Sequence, residues 1–190
     1  MKTQLILLFL FFTVTSAFAQ EKLEREYRIK QSEVPSKALD FVRSSFGTGK
    51  IKWYGEDNLS GKAIEAKGKQ GGNLYSVKFN TAGDLQDVEV VVSFNNLPET
   101  TRKAIATQLD LNFSKYRIQK TQVQWLADSK VLSSLIRQEP APGKHVINYE
   151  ITVRGTKNRQ TGYYEFLMDE NGKVIRTSTI IERNSHNLIY

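Results

Sequence analysis

The chain has 190 residues, no cysteine and two histidines, with a formal net charge of +7. Without cysteine there is no disulfide framework, no thiol nucleophile and no lipid-modified cysteine, and two histidines are too few for a zinc site built on nitrogen and sulfur ligands. Lys and Arg are interleaved with Asp and Glu, as in Glu21-Lys22-Leu23-Glu24-Arg25-Glu26, with no run of five or six like charges. The positive balance therefore reads as a solvated surface, and no nucleic-acid partner is expected.

Met1-Lys2-Thr3-Gln4 is followed by an apolar run, Leu5 to Phe12, and by Ala17-Phe18-Ala19. A basic start, a short apolar core and an A-x-A ending predict a secretory signal cleaved after Ala19, giving a periplasmic or secreted protein. The run is shorter than the about 20 residues a membrane span needs, so no stable membrane insertion is expected. Cleavage leaves about 170 residues, enough to bury about 70% of the unfolded surface without a metal or disulfide.

Val34-Pro35-Ser36 opens an amphipathic stretch whose apolar residues Ala38, Leu39, Phe41, Val42 and Phe46 have helical spacing. Strand-like alternation follows at residues 50–54, 64–67, 75–79 and 88–92. Leu97-Pro98-Glu99 opens a second helix with Thr101, Ala104, Ile105 and Leu109 on one face. Strands are then predicted at 122–125, 149–153, 164–168 and 174–177. Asn80-Thr81-Ala82-Gly83 and Asp169-Glu170-Asn171-Gly172 read as equivalent hairpin turns: Asn or Asp opens the turn and Gly takes the positive φ. Residues 127–143 are extra in the second half and form either a short helix after Ser129 or a longer hairpin excursion. The expected fold class is α+β, a tandem duplication of a helix followed by about four antiparallel strands.

The [Val/Leu]-Pro helix starts, the aromatic strands and the shared Tyr-x-[Val/Phe]-x-[Phe/Met]-[Asn/Asp]-x-x-Gly turn resemble the PepSY-like, β-lactamase-inhibitor-like family of exported bacterial proteins. The similarity covers about residues 34–177. It implies that the two units join into a broad curved sheet backed by helices; with the signal at 1–19, the expected divisions are a first repeat at 20–95, a second at 96–183 and a polar tail at 184–190. The chain departs from the inhibitor itself in lacking its cysteines, and none of its blocking loop residues can be matched here.

No catalytic constellation is visible. His145 precedes a strand, His186 lies in the polar tail, and there is no G-x-S-x-G. No enzyme activity, cofactor or metal is expected. The predicted function is an exported binding module, inhibitor-like in character, using the open face of its sheet against another exported or envelope protein. The alternative is a polyanion or cell-envelope surface binder driven by the basic charge. Taking Val77 and Ile151 as core-facing, alternation sends Tyr54, Lys78, Glu150, Thr152, Arg154 and Tyr163 to the open face. Tyr54, Tyr163 and Arg154 are the candidate contact residues, because tyrosine and arginine so often dominate interface energies.

Overall fold

The computed structural model describes residues 20–22, 25–58 and 61–180; the expected signal at 1–19 and tail at 184–190 lie outside them. In chain order the elements are β1 (Gln20–Lys22), β2 (Arg25–Arg28), α1 (Ser36–Phe46), β3 (Lys52–Asn58), β4 (Gly61–Gln70), β5 (Asn73–Asn80) and β6 (Leu85–Val91). They continue with α2 (Glu99–Asn112), β7 (Lys115–Leu126), α3 (Ser129–Ile136), β8 (Val146–Lys157), β9 (Gln160–Asp169) and β10 (Val174–Ile180). All ten strands belong to one sheet, in the order β1-β10-β9-β8-β7-β6-β5-β4-β3-β2. Every pairing is antiparallel except β1 with β10.

The expected fold class, a tandem duplication of a helix and about four strands, is corrected by this topology to a single, mostly antiparallel sheet carrying three helices. The sheet is continuous through its middle, where Val88 pairs with Trp125 and Val90 with Val123 across β6 and β7. These residues alternate in phase and point to the same buried side, so pairing the two strands extends one apolar face without a break. Two more strands, β1 and β2, precede the first helix. Helix α3 also belongs to no simple repeat: Leu132 and Ile136 join the core formed by α1 and strands β3 to β6.

The helices form where the apolar spacing placed them. In α1, Ala38, Phe41, Val42, Ser45 and Phe46 are buried. In α2 the buried stripe is Thr101, Ile105 and Leu109, one residue per turn. Pro35 and Pro98 stand just before the helices, and their carbonyls accept from Leu39 and Arg102 in the first turn. Residues 127–143 adopt the helical alternative. Asp128 caps α3 by accepting from the backbone N–H groups of Lys130 at 2.9 Å and Val131 at 3.0 Å.

Both predicted turns have the same hydrogen bonding. Asn80 Oδ1 accepts from the N–H groups of Ala82 and Asp84, and Asp169 Oδ1 from those of Asn171 and Lys173. Gly83 and Gly172 have φ of +82° and +77°.

All three helices pack on the apolar face of the sheet, against Trp53, Val77, Phe79, Val88 and Val90 in one half and Tyr149, Ile151, Val153, Phe166 and Met168 in the other. A simple duplication would put Trp53 and Trp125 on equivalent strands, each under its own helix. Trp53 does sit in the α1 core, but Trp125 lies near the end of β7 and packs against Tyr75 of the first half, ring centroids 6.2 Å apart.

The two edge strands fix the shape. β1 is at one edge and β2 at the other, yet Lys22 and Arg25 are three Cα steps apart, a reach of at most about 11 Å. Laid flat, ten strands would hold those edges about 43 Å apart. The sheet is therefore rolled until its edges approach. A roll of this size has no room inside for three helices, so the helices lie outside and the opposite, polar face lines the interior.

Candidate functional site

The polar face is built by alternation, and the roll buries it. Val88 and Val90 send Asp87 and Glu89 inward; Val123 and Trp125 do the same to Gln122 and Gln124. Cross-strand register then aligns Tyr54 with Glu65, Glu65 with Lys78, and Lys78 with Asp87. It also aligns Glu89 with Gln124, Gln124 with Asn148, and Gln122 with Glu150. Glu56, Glu65, Gln122, Asn148, Glu150, Thr152, Glu165 and Ser178 are all buried although none of the described helices packs on that face.

Two charge groups occupy the inside. Around β2 to β5, Lys67 pairs with Glu26 at 2.7 Å and Glu65 at 3.2 Å, and Lys78 with Glu56 at 3.0 Å. Ser76 donates to Glu65. Burial pulls Lys67 down, but Glu65 and Glu26 outweigh it and hold its ammonium above the ordinary range. Burial pushes Glu26 up against the pull of Lys67. The second group spans β6 to β8. Gln122 Nε2 donates to Glu89 Oε2 at 2.7 Å, Gln124 Nε2 to Asp87 Oδ2 at 3.2 Å, and Asn148 Nδ2 to Gln124 Oε1 at 3.0 Å. Burial first, then the neighbouring carboxylates, raise Asp87 from 3.8 to about 6 against the opposing charge of Lys78. Glu89 is pushed well above its ordinary range by burial, Glu150 and Asp87, opposed by Lys78 and Lys120.

These shifts have a measurable sign. Between pH 3.8 and about 6 folded Asp87 keeps a proton that the unfolded chain has lost, so its contribution to stability falls as pH rises through that window. Asp87→Asn keeps an acceptor for Gln124 and removes this cost. The variant is expected to be more stable than wild type by about 1–3 kcal/mol at pH 7.5 and to lose most of that advantage at pH 4. Urea unfolding of both proteins at the two pH values checks it; an advantage independent of pH counts against the buried-carboxylate account.

Of the sequence-predicted contact residues, Arg154 and Tyr163 are direct cross-strand partners on β8 and β9. Arg154 is exposed and Tyr163 partly so, which places them at a mouth of the roll while Glu150 and Thr152 lie deeper. Tyr54 is on the expected face but is only 9% exposed, because that face is the inside. Its ring lies 5.0 Å from the Arg28 guanidinium and 5.0 Å from the Lys67 ammonium, and five strands separate β3 from β9 in the sheet. Tyr54 is thus part of the first charge group and does not share a patch with Arg154 and Tyr163. Sequence reasoning missed Asp87, Glu89, Gln122 and Gln124. Strict alternation with Val88, Val90, Val123 and Trp125 was the signal that could have found them.

His145 is partly exposed ahead of β8, and His186 lies outside the described residues. Among the described residues no three or more His, Asp or Glu side chains are grouped to hold a metal ion, and no helix is long and apolar enough to cross a membrane.

No family model matches the sequence, and none of the curated proteins matches it. Solved structures do. One is a DUF2874 family protein from Bacteroides ovatus, with a TM-score of 0.50, 14% identity, and coverage of 77% of this chain and 87% of that one. Another is a BLIP-like protein from Bacteroides fragilis, with a TM-score of 0.51, 16% identity, and coverage of 80% and 92%. At such identities the likeness shows the fold. It supports the BLIP-like side of the resemblance drawn from the sequence; the PepSY side has no counterpart in these matches.

Proposed function

We propose that this chain is an exported, non-catalytic binding module that engages another exported or envelope protein through the polar inside of its rolled sheet. The observation that carries the reading is a sheet face rich in charged and amide side chains that none of the described helices meets. Stability alone does not favour such a face, since replacing buried ion pairs by apolar residues of similar volume is often neutral or stabilising. The A-x-A signal at residues 1–19 supports export. The fold likeness to a BLIP-like protein is in keeping with an inhibitor-like binding role. The polyanion alternative has less behind it, because the interior lysines Lys67 and Lys78 are paired with Glu26, Glu65 and Glu56 and stand beside the further carboxylates Asp87, Glu89 and Glu150.

The test is site-specific photocrosslinking of the exported protein. A benzophenone side chain replacing Arg154 or Tyr163, at the mouth of the roll, is expected to give a discrete adduct in the bacterial envelope. The same group replacing Lys103, exposed on α2, is expected to give none. Adducts from Lys103 alone, or equally from all three positions, would place the working surface outside the roll and overturn the reading.

A further inference from the structure

Resting on the reading that a protein partner enters the roll, we propose that the row Asp87, Glu89, Gln122 and Glu150 is a receptor for one arginine side chain presented by that partner. The donor and acceptor inventory at this row carries the argument. Gln122 Nε2 donates to Glu89, Gln124 Nε2 donates to Asp87, and Gln124 Oε1 is taken by Asn148. Two buried acceptors are left unmatched at this row. Gln122 is 3% exposed and its Oε1 has no hydrogen-bond partner; Asp87 Oδ1 is shut off from solvent and also has none. A buried acceptor left unmatched costs about 1–3 kcal/mol, so the site gains by admitting a ligand that carries donors and no competing acceptors.

Charge narrows the choice to a cation. Glu89 lies between Asp87 and Gln122 on the paired strands, and Glu150 is the cross-strand neighbour of Gln122. Two lysines oppose them, Lys78, which also pairs with Glu56 at 3.0 Å, and Lys120. Burial first, and then the neighbouring carboxylates, still hold Asp87 and Glu89 above their ordinary ranges. The carboxylates are strung along two strands and not gathered around a point, which suits a planar, delocalised cation better than a metal ion. A guanidinium offers five donors in a rigid fork and is more weakly hydrated than an ammonium, so it can satisfy several separated oxygens while leaving water. Asp87 and Glu89 each keep part of their surface exposed, which gives access from the inside of the roll.

The experiment titrates the mature protein with N-acetyl-L-arginine amide, its uncharged isostere N-acetyl-L-citrulline amide, and N-acetyl-L-lysine amide. Side-chain amide NMR signals of Gln122 and Gln124 are followed at low salt. The arginine compound is expected to give a saturable shift at both amides, the lysine compound a shift at least threefold weaker in affinity, and citrulline none. Glu89→Gln is expected to weaken arginine binding tenfold or more. Asp87→Asn, which keeps the fold by the stability argument above, is a second variant expected to weaken it. Asp40→Asn, on the outer face of α1, is expected to change nothing. Equal shifts with arginine and citrulline, no shift with either, or full affinity in Glu89→Gln would each overturn the receptor. Preferred binding of lysine would overturn the guanidinium assignment. The two readings fail separately: Arg154 adducts with a null titration retain the binding face and reject the receptor. A positive titration with adducts only from Lys103 does the reverse.

Discussion

Trp53→Ala lowers the stability of the folded chain by about 3–5 kcal/mol, whereas Trp125→Ala costs about 1–3 kcal/mol. Trp53 is 5% exposed, and its ring lies 6.2 Å from that of Phe79, which in turn meets Phe41 of α1 edge-on at 5.9 Å. Removing the indole leaves a hole bordered by strand backbone on one side and a helix on the other, neither of which can close it without moving the roll. Trp125 keeps part of its surface in solvent, and its main ring neighbour is Tyr75. Its loss therefore removes less buried area and leaves a site that water can enter. Chemical denaturation followed by circular dichroism measures both. Equal losses for the two variants would mean that Trp125 is as deeply placed as Trp53.

Gly172→Val is expected to cost about 2–4 kcal/mol, from two separable causes. Its φ of +77° is a conformation that a β-branched residue adopts only under strain, worth about 1–3 kcal/mol. A Cβ there would also stand 2.6 Å from Ala104 Cβ and 3.3 Å from the Ile105 nitrogen, so α2 must shift outward. Gly172→Asn, which tolerates the left-handed region better, isolates the steric part. Combining either variant with Ala104→Gly should recover stability beyond simple addition of the two single changes, because the pair shares the same contact. Strict additivity would show that helix and turn are not in contact.

The turns and helix starts were legible because their causes are local. Asn80 and Asp169 organise their turns through their own carboxamide and carboxylate oxygens, and the glycines are fixed by backbone sterics three residues later. Side-chain alternation likewise gave the faces of Tyr75, Phe79, Tyr149, Ile151 and Phe166. The continuity of the sheet was implied by the family resemblance but not legible in the strands themselves, because it depends on β6 meeting β7 across the whole of α2. β2 was missed for a related reason: Arg25-Glu26-Tyr27-Arg28 has no apolar alternation, and its place comes from long-range partners, Glu26 with Lys67 and Arg28 with Tyr54. Arg154 and Tyr163 lie as cross-strand partners on the face to which alternation assigned them. The burial of Tyr54 and the acceptor-rich row at Asp87 and Gln122 were not legible, since both follow from rolling, which no single strand encodes.

The approach of the two sheet edges has a consequence for how the molecule avoids its own kind. An open strand edge offers unpaired N–H and C=O groups to any passing chain and invites aggregation. β3 and β10 would be such edges, and both are taken by strands from one short stretch at residues 20–28. One stretch of backbone thus blocks both ends of the hydrogen-bond ladder, leaving short β1 and β2 outermost, with Arg25, Glu26 and Arg28 charged along β2. The strands of this N-terminal stretch are in this sense the chain's guard against polymerising by strand addition.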